Sequence, residues 1–160
     1  GVVVSRGLEI GGNDFDESIV NYVKMKYGLL IGKNTAEKVK INMGGVIRGR
    51  DLENNLPKSI RLSSEEIYEA VAMKVKRIVG LVKLILDEMP TEMTDDVLKK
   101  GVVMAGGGSQ FRGIDKAIEE ELKINAMIIK NPDYAVVQGI GELMENKEWM
   151  EKSRLVSELV

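Results

Sequence analysis

Two groups of residues in this sequence could contact a ligand: a run of three glycines and a Glu-x-x-Lys pair. Gly106, Gly107 and Gly108 closely follow the apolar run Val102–Met104, which is typical of a buried strand. Glycines permit positive φ and let a ligand approach the main chain closely. Because ligands of open α/β sheets bind outside the carboxyl ends of strands, this glycine turn is a candidate binding site. The alternative is a tight strand-to-helix connection that binds nothing.

The second group, Glu37 and Lys40, has i, i+3 spacing, so on a helix both side chains lie on one face. One interpretation is a solvated ion pair that contributes about 0.3 kcal/mol. The other is a ligand contact, in which Glu37 accepts hydrogen bonds from ribose hydroxyls and Lys40 lies alongside the base. A carboxylate suits the first task because it offers two acceptors to two donors.

Two common phosphate-binding motifs are not matched. Residues 28–34 place three residues between Gly28 and Gly32 where a P-loop has four, and they carry Asn34 where it has Ser or Thr. The glycine turn has Phe111 where a dinucleotide fingerprint requires its third glycine. We therefore assign neither motif.

The composition excludes several kinds of chemistry. The 160 residues contain no cysteine and no histidine, which excludes disulfides, thiolate metal sites and nucleophile pairs that use histidine. Chemistry would depend on carboxylates, lysines, hydroxyls, backbone amides or a hard cation such as magnesium. The net charge of −2 gives no basic excess for binding nucleic acid. The 44% apolar fraction suits one ordered domain, and no apolar run predicts a membrane span.

Hydrophobic periodicity and turn residues predict an α/β order of elements. The long helix has a capping box at its start, where Ser63 and Glu66 have Ser-x-x-Glu spacing. Gly80 lies within that helix, and close packing is one reason for a glycine there. The predicted elements are a strand over 2–10, helices over 13–27 and 36–43, a hairpin over 46–62, helices over 63–89 and 94–100, a strand over 102–104, a helix over 114–122, a strand over 124–129, and helices over 131–144 and 147–160.

Several stretches together resemble the second half of an actin-like ATPase. They are GGNDFDESIV after a strand, TAEKVK, AGGGSQFRGID and NPDYAVVQGIGELME. This superfamily joins actin, the heat-shock chaperone ATPases and the sugar kinases. Within it, LLIGKNTAEKVKINMG and GRDLENNLPKSIRLSSEEIYEAV are similar to the bacterial rod-shape actins of the MreB family. The resemblance extends to about Met144 and implies an α/β fold, the ribonuclease-H-like second lobe with an inserted β-hairpin and long helix.

The resemblance also implies a division of the chain. Residues 1–44 would be the first part of the ribonuclease-H-like lobe, and residues 45–90 the inserted small subdomain, which takes part in filament contacts. Residues 91–146 would complete the lobe with an adenosine-binding turn, and residues 147–160 would form a C-terminal helical tail.

By the same resemblance, one set of residues binds nucleotide. The turn would pack its backbone against adenosine, and the Glu-x-x-Lys helix would contact ribose and base. The implied nucleotide-binding residues are Glu37, Lys40, Gly106, Gly107, Gly108 and Ser109. The chain departs from the family pattern at Lys33, where glutamate is usual, and at Ala105, where threonine is common.

Other functional parts of the family would all precede Gly1. They are two phosphate loops, a magnesium-positioning aspartate, a water-orienting carboxylate, a membrane-inserting loop and an amphipathic terminus. We therefore assign no catalytic or metal-binding residue in this chain, and expect ATP or GTP with Mg²⁺ to be bound by a full-length parent. Two strands of the lobe are also expected before Gly1. Their absence would leave an unpaired edge and apolar surface, so the isolated chain should be unstable or self-associate.

The function implied is that of a nucleotide-dependent filament subunit that guides cell-wall synthesis and maintains rod shape. Its partners would be further copies of itself, the membrane surface and membrane-associated proteins such as RodZ, but not nucleic acid. The parent protein would be cytoplasmic and membrane-associated. The alternatives are a chaperone-type or sugar-kinase member of the superfamily, or a plain α/β interaction module without a ligand.

The first prediction concerns hydrolysis. Because the resemblance implies that the phosphate loops precede Gly1, the purified 160-residue chain should release no phosphate from ATP above a buffer control. A phosphate-release assay measures this directly. Turnover that scales with the concentration of the chain would contradict the assignment of no catalytic residue.

Overall fold

The computed structural model describes residues 2–146, 148, 149 and 151, and its mixture of helices and sheets confirms the predicted α/β class. The α-helices are α1 Gly12–Tyr27, α2 Lys33–Asn42, α3 Ser64–Glu88, α4 Thr94–Lys100, α5 Ile114–Leu122 and α6 Ala135–Glu145. The strands are β1 Leu29–Leu30, β2 Gly45–Asp51, β3 Pro57–Leu62, β4 Val102–Met104 and β5 Ala126–Ile128. Short 3₁₀ turns cover Thr91–Met93, Gly107–Gln110 and Pro132–Tyr134.

The strands form two separate sheets. In the first, β1, β2 and β3 are antiparallel, and Gly45 lies opposite Leu62 across the predicted hairpin. A Cβ on Gly49 would lie 2.2 Å from the carbonyl oxygen of Leu30, so only glycine permits this approach of β2 to β1. In the second sheet, β4 and β5 are parallel and α5 connects them. The glycine turn therefore follows the carboxyl end of a parallel strand, as expected.

Phe111 connects the glycine turn to the rest of the core. Its ring meets the ring of Phe15 on α1 edge to face, with centroids 5.1 Å apart, and that of Tyr68 on α3 with centroids 5.9 Å apart. Phe111 and Phe15 are both buried. Such aromatic pairs contribute about 1 kcal/mol beyond the apolar area they bury. The residue that rules out a dinucleotide fingerprint is thus a core residue that fixes the turn against two helices.

The structure corrects the prediction of a strand over residues 2–10. No described strand pairs with this segment, and Val2 and Val3 are exposed. An apolar alternation becomes a strand only when a neighbour completes its hydrogen-bond ladder, so the pattern alone was insufficient. The predicted strand over 124–129 is confirmed in part as the shorter β5, whereas β1 has no counterpart among the predicted elements.

Three helix predictions are also corrected. Helix α1 begins at Gly12 rather than residue 13, and Gly11 is its N-cap. Asp14 lies in the first turn, where its carboxylate accepts a hydrogen bond from the Gly11 amide at 2.8 Å. Helix α2 begins at Lys33 rather than residue 36. A Cβ on Gly80 would meet nothing within 4 Å, so close packing does not explain that glycine. Residues 148, 149 and 151 of the predicted C-terminal helix are helical, and the rest of that prediction lies outside the described residues.

Helix α6 contains no buried residue, although its sequence is largely apolar. Val136, Val137 and Met144 are exposed on it, and Val103 is exposed on β4. Exposed apolar residues promote association where they form a contiguous surface. No described helix is both long and apolar enough to cross a membrane.

The predicted capping box of α3 is confirmed and belongs to a larger network. Ser63 Oγ accepts a hydrogen bond from the Glu66 amide at 3.3 Å, and the Glu66 carboxylate accepts one from the Ser63 amide at 3.0 Å. Glu66 also accepts a hydrogen bond from the Tyr27 hydroxyl and lies 2.9 Å from Lys26 Nζ. The Tyr27 hydrogen bond, followed by the Ser63 amide and Lys26, lowers the pKa of Glu66 to about 2. This network joins the end of α1 to the start of α3.

A second prediction concerns the pH dependence of stability. Because the pKa of Glu66 is lower in the folded state, its contribution is present above its ordinary pKa of 4.5 and is lost as the pH falls through about 2. Glu66→Gln keeps an acceptor for the Ser63 amide but removes the charge. Urea unfolding midpoints should therefore fall less between pH 5 and pH 3 for Glu66→Gln than for the wild type.

The matched control is Glu120→Gln, which removes the same charge from an exposed position on α5. An acid sensitivity of Glu66→Gln equal to that of the wild type would show that the network at Glu66 is not the cause.

Candidate functional site

A cavity of about 690 Å³ lies between the start of α1, helix α2 and the glycine turn. Its volume is in the range of small-molecule sites in proteins. It combines polar groups, backbone and an apolar wall. The lining residues are Gly12, Asn13, Phe15, Glu37, Lys40, Ile41, Gly107, Gly108, Gln110, Phe111, Arg112 and Asp133.

Four of the six predicted site residues line this cavity. Glu37 and Lys40 come from α2, and Gly107 and Gly108 come from the turn. These two groups are far apart in the sequence, and the fold brings them together around the cavity.

The other two predicted residues, Gly106 and Ser109, are not part of the lining and shape the turn instead. Ser109 is buried, and its hydroxyl donates to the Gly106 carbonyl oxygen at 2.7 Å. Gly106 has a φ of 82°, which favours glycine, and its amide donates to the carbonyl oxygen of Pro132 at 2.8 Å. These contacts hold the turn after β4 against the turn after β5.

Asp133 approaches the glycine turn closely. Gln110 Nε2 donates to Asp133 Oδ2 at 2.5 Å. A Cβ on Gly107 would lie 2.9 Å from Asp133 Oδ1, closer than real Cβ contacts permit. The exposed Asp133 carboxylate would therefore have to shift to accept a side chain at position 107.

Lys40 is held in place by two residues of α1. Its Nζ lies 2.7 Å from Asp16 Oδ1 and donates a hydrogen bond to the Gly12 carbonyl oxygen at 3.0 Å. The ion pair that Lys40 forms in the described structure is thus with Asp16 on α1. Among the described residues no ion pair joins Glu37 to Lys40, and the Lys40 side chain is only 13% exposed, so the interpretation of the two as a solvated pair is wrong.

The polar lining carries both signs of charge. Glu37 and Asp133 supply carboxylate acceptors, while Lys40 and Arg112 supply cationic donors. The first-turn residues Gly12 and Asn13 face the cavity at the positive end of the α1 dipole. Phe15 and Ile41 add an apolar wall. Such a site suits a ligand with hydroxyl donors, a flat apolar part and an anionic part.

Besides Gly12, Phe15 and Phe111, sequence analysis missed five lining residues. Gln110 and Arg112 belong to the same short turn as the glycines, so their position was a usable signal. Asp133 follows the second parallel strand, where sites also form, but it was interpreted only as a helix start. The missed residues are Asn13, Ile41, Gln110, Arg112 and Asp133.

The described residues contain no group of three acidic, histidine or cysteine side chains that could hold a metal ion. Glu37 and Asp133 therefore do not form a metal cluster with a third such side chain in this part of the chain.

Comparison with known proteins relates the sequence to bacterial cell-shape proteins. Cell shape-determining protein Mbl of Bacillus cereus is 39% identical over 164 residues, which cover 96% of this chain and 49% of Mbl. Cell shape-determining protein MreB of Escherichia coli is 37% identical over 155 residues, which cover 91% of this chain and 45% of MreB. The chain thus spans about half the length of these relatives.

Solved structures show the same fold. MreB5 of Spiroplasma citri bound to AMPPNP is 31% identical and matches with a TM-score of 0.88, over 96% of this chain and 49% of that one. The MamK double helical filament, at 24% identity and a TM-score of 0.73 over 87% of this chain and 46% of that one, shows the fold alone. These similarities confirm the predicted actin-like α/β fold. The family model for the MreB/Mbl protein matches residues 1–152, and the chain belongs to the MreB/Mbl family.

Proposed function

We propose that this chain supplies the adenosine-facing wall of a nucleotide site in an MreB-like filament subunit. The observation that carries the proposal is the placement of Glu37 and Lys40 opposite Gly107 and Gly108 around one cavity of about 690 Å³. Related structures of MreB5 of Spiroplasma citri, bound to AMPPNP and to ADP, support it.

Each part of the lining has a role in this proposal. Glu37 accepts hydrogen bonds from the ribose hydroxyls, and Lys40 lies alongside the base. The backbone of Gly107 and Gly108 packs against adenosine, while Gly106 and Ser109 keep the turn in shape through their own hydrogen bonds. The ligand is ATP or GTP, with Mg²⁺ bound through the phosphates and groups of the full-length parent.

In the cell, the parent protein would form homopolymer filaments that guide cell-wall synthesis and maintain rod shape. The names of the Mbl and MreB relatives, which describe them as cell shape-determining, support this role. Self-association is consistent with the exposed apolar residues of α6. Cytoplasmic filaments at the membrane surface, with partners such as RodZ, complete the proposal. The family match to MreB/Mbl over residues 1–152 favours this role over a chaperone, a sugar kinase or a ligand-free module.

A third prediction tests the role of Glu37. Glu37→Gln replaces a charged acceptor by a neutral one, so the affinity for ATP should fall about tenfold, the scale of one hydrogen bond to a charged group. With 2′,3′-dideoxy-ATP, which lacks the ribose hydroxyls, Glu37→Gln and the wild type should bind equally. Isothermal titration calorimetry of the full-length parent measures both affinities, and GTP in the same assay reports the base preference.

The matched control is Glu17→Gln, an exposed acidic residue of α1 outside the cavity lining. It should bind ATP with the wild-type affinity. A wild type that binds neither ATP nor GTP would overturn the proposed function, whereas equal ATP binding by Glu37→Gln would overturn only the role of this residue.

A further inference from the structure

Asp16 is an ionisable residue inside the core. It lies on α1 with 4% of its surface exposed, beside the buried residues Phe15 and Ile19. It is not part of the cavity lining. Burying a carboxylate is costly unless a counter-ion and hydrogen bonds compensate for the lost water. A residue of this kind needs a structural or functional reason.

The ion-pair partner of Asp16 is the one amine of the cavity wall, Lys40. The 2.7 Å separation of Lys40 Nζ from Asp16 Oδ1 is that of a close ion pair, and only 13% of the Lys40 side chain is exposed. A lysine ammonium has three N–H donors. One donates to the Gly12 carbonyl oxygen, while Asp16 Oδ1 contacts the ammonium as a counter-ion without accepting a hydrogen bond, which leaves donor capacity for a ligand in the cavity that Lys40 lines.

This arrangement also joins the two helices that form the wall. Gly12 and Asp16 are one turn apart on α1, and Lys40 follows Glu37 by one turn on α2. The ammonium of Lys40 bridges α1 and α2 at the level of the cavity, so the position of Glu37 relative to the start of α1 depends on it.

We propose that Asp16 is a positioning residue of the nucleotide site, which fixes the Lys40 ammonium against the Gly12 carbonyl and so presents its remaining donor to the ligand. The inference rests on the proposed function. Asp16 itself does not touch the ligand. Without its charge, Lys40 loses its counter-ion and its long side chain turns to solvent, where its rotamers are no longer restricted.

The experiment compares Asp16→Asn, Lys40→Met and the double variant with the wild type, each in the full-length parent. Calorimetric titration with ATP should give an affinity about tenfold lower for Asp16→Asn and for Lys40→Met. The double variant should bind no more weakly than Lys40→Met alone, because both changes remove the same contact. Acetylation of Lys40, followed by mass spectrometry, should be faster in Asp16→Asn than in the wild type.

The matched control is Asp51→Asn. Asp51 forms an ion pair with Lys58 at 2.9 Å in the β2–β3 hairpin and is also buried, but it does not line the cavity. This variant should have a lower thermal midpoint than the wild type and the wild-type affinity for ATP. The comparison separates a loss of stability from a loss of positioning.

The possible failures are distinct. A wild type that does not bind ATP overturns the proposed function and this inference with it. A wild type that binds ATP, with Asp16→Asn binding equally well, overturns the positioning role alone. If Asp16→Asn does not fold, the acetylation rate of Lys40 is measured in the wild type with and without ATP. ATP should slow this reaction, and an unchanged rate overturns the inference.

Discussion

The contact of Phe111 with Phe15 and Tyr68 is the constraint on which the candidate site depends. The glycine turn has little side-chain surface of its own, so its position must come from the residue that follows it. Phe111 lies between a ring of α1 and a ring of α3, and in this way places the turn opposite the start of α1. The cavity is the space that remains between them, and α2 closes it with Glu37 and Lys40.

The residues of the site have two kinds of role: some face the cavity, and others hold those residues in place. Ser109 and Gly106 shape the turn. Similarly, Asp16 holds the Lys40 ammonium from inside the core. The arrangement keeps the polar groups in place before a ligand arrives, which reduces the entropy lost on binding.

Much of the fold was predictable because its signals are local. The Ser63–Glu66 capping box, the hairpin and the strand before the glycines each depend on a few adjacent residues. Predictions failed where the deciding partner is distant in sequence. Residues 2–10 carry a strand pattern but no described strand pairs with them, and Gly80 has no close neighbour to explain it. In the site, Glu37 and Lys40 were candidates from their spacing and from the family resemblance, whereas the Asp16–Lys40 pair links two helices and has no sequence pattern.

The sparse burial of the β4–β5 region has a consequence for how the protein responds to a ligand. Val103 and Met127 are exposed on this two-stranded sheet, and α6 after it has no buried residue, while α1 and the first sheet supply much of the core. Such a region opens locally at a lower free energy than the rest of the molecule, and its amide hydrogens exchange sooner. A ligand in the cavity touches both the well-packed helices and the turn after β4. Its binding energy therefore adds to the stability of the weaker region, so the ligand acts as a cross-link between the two parts of the chain.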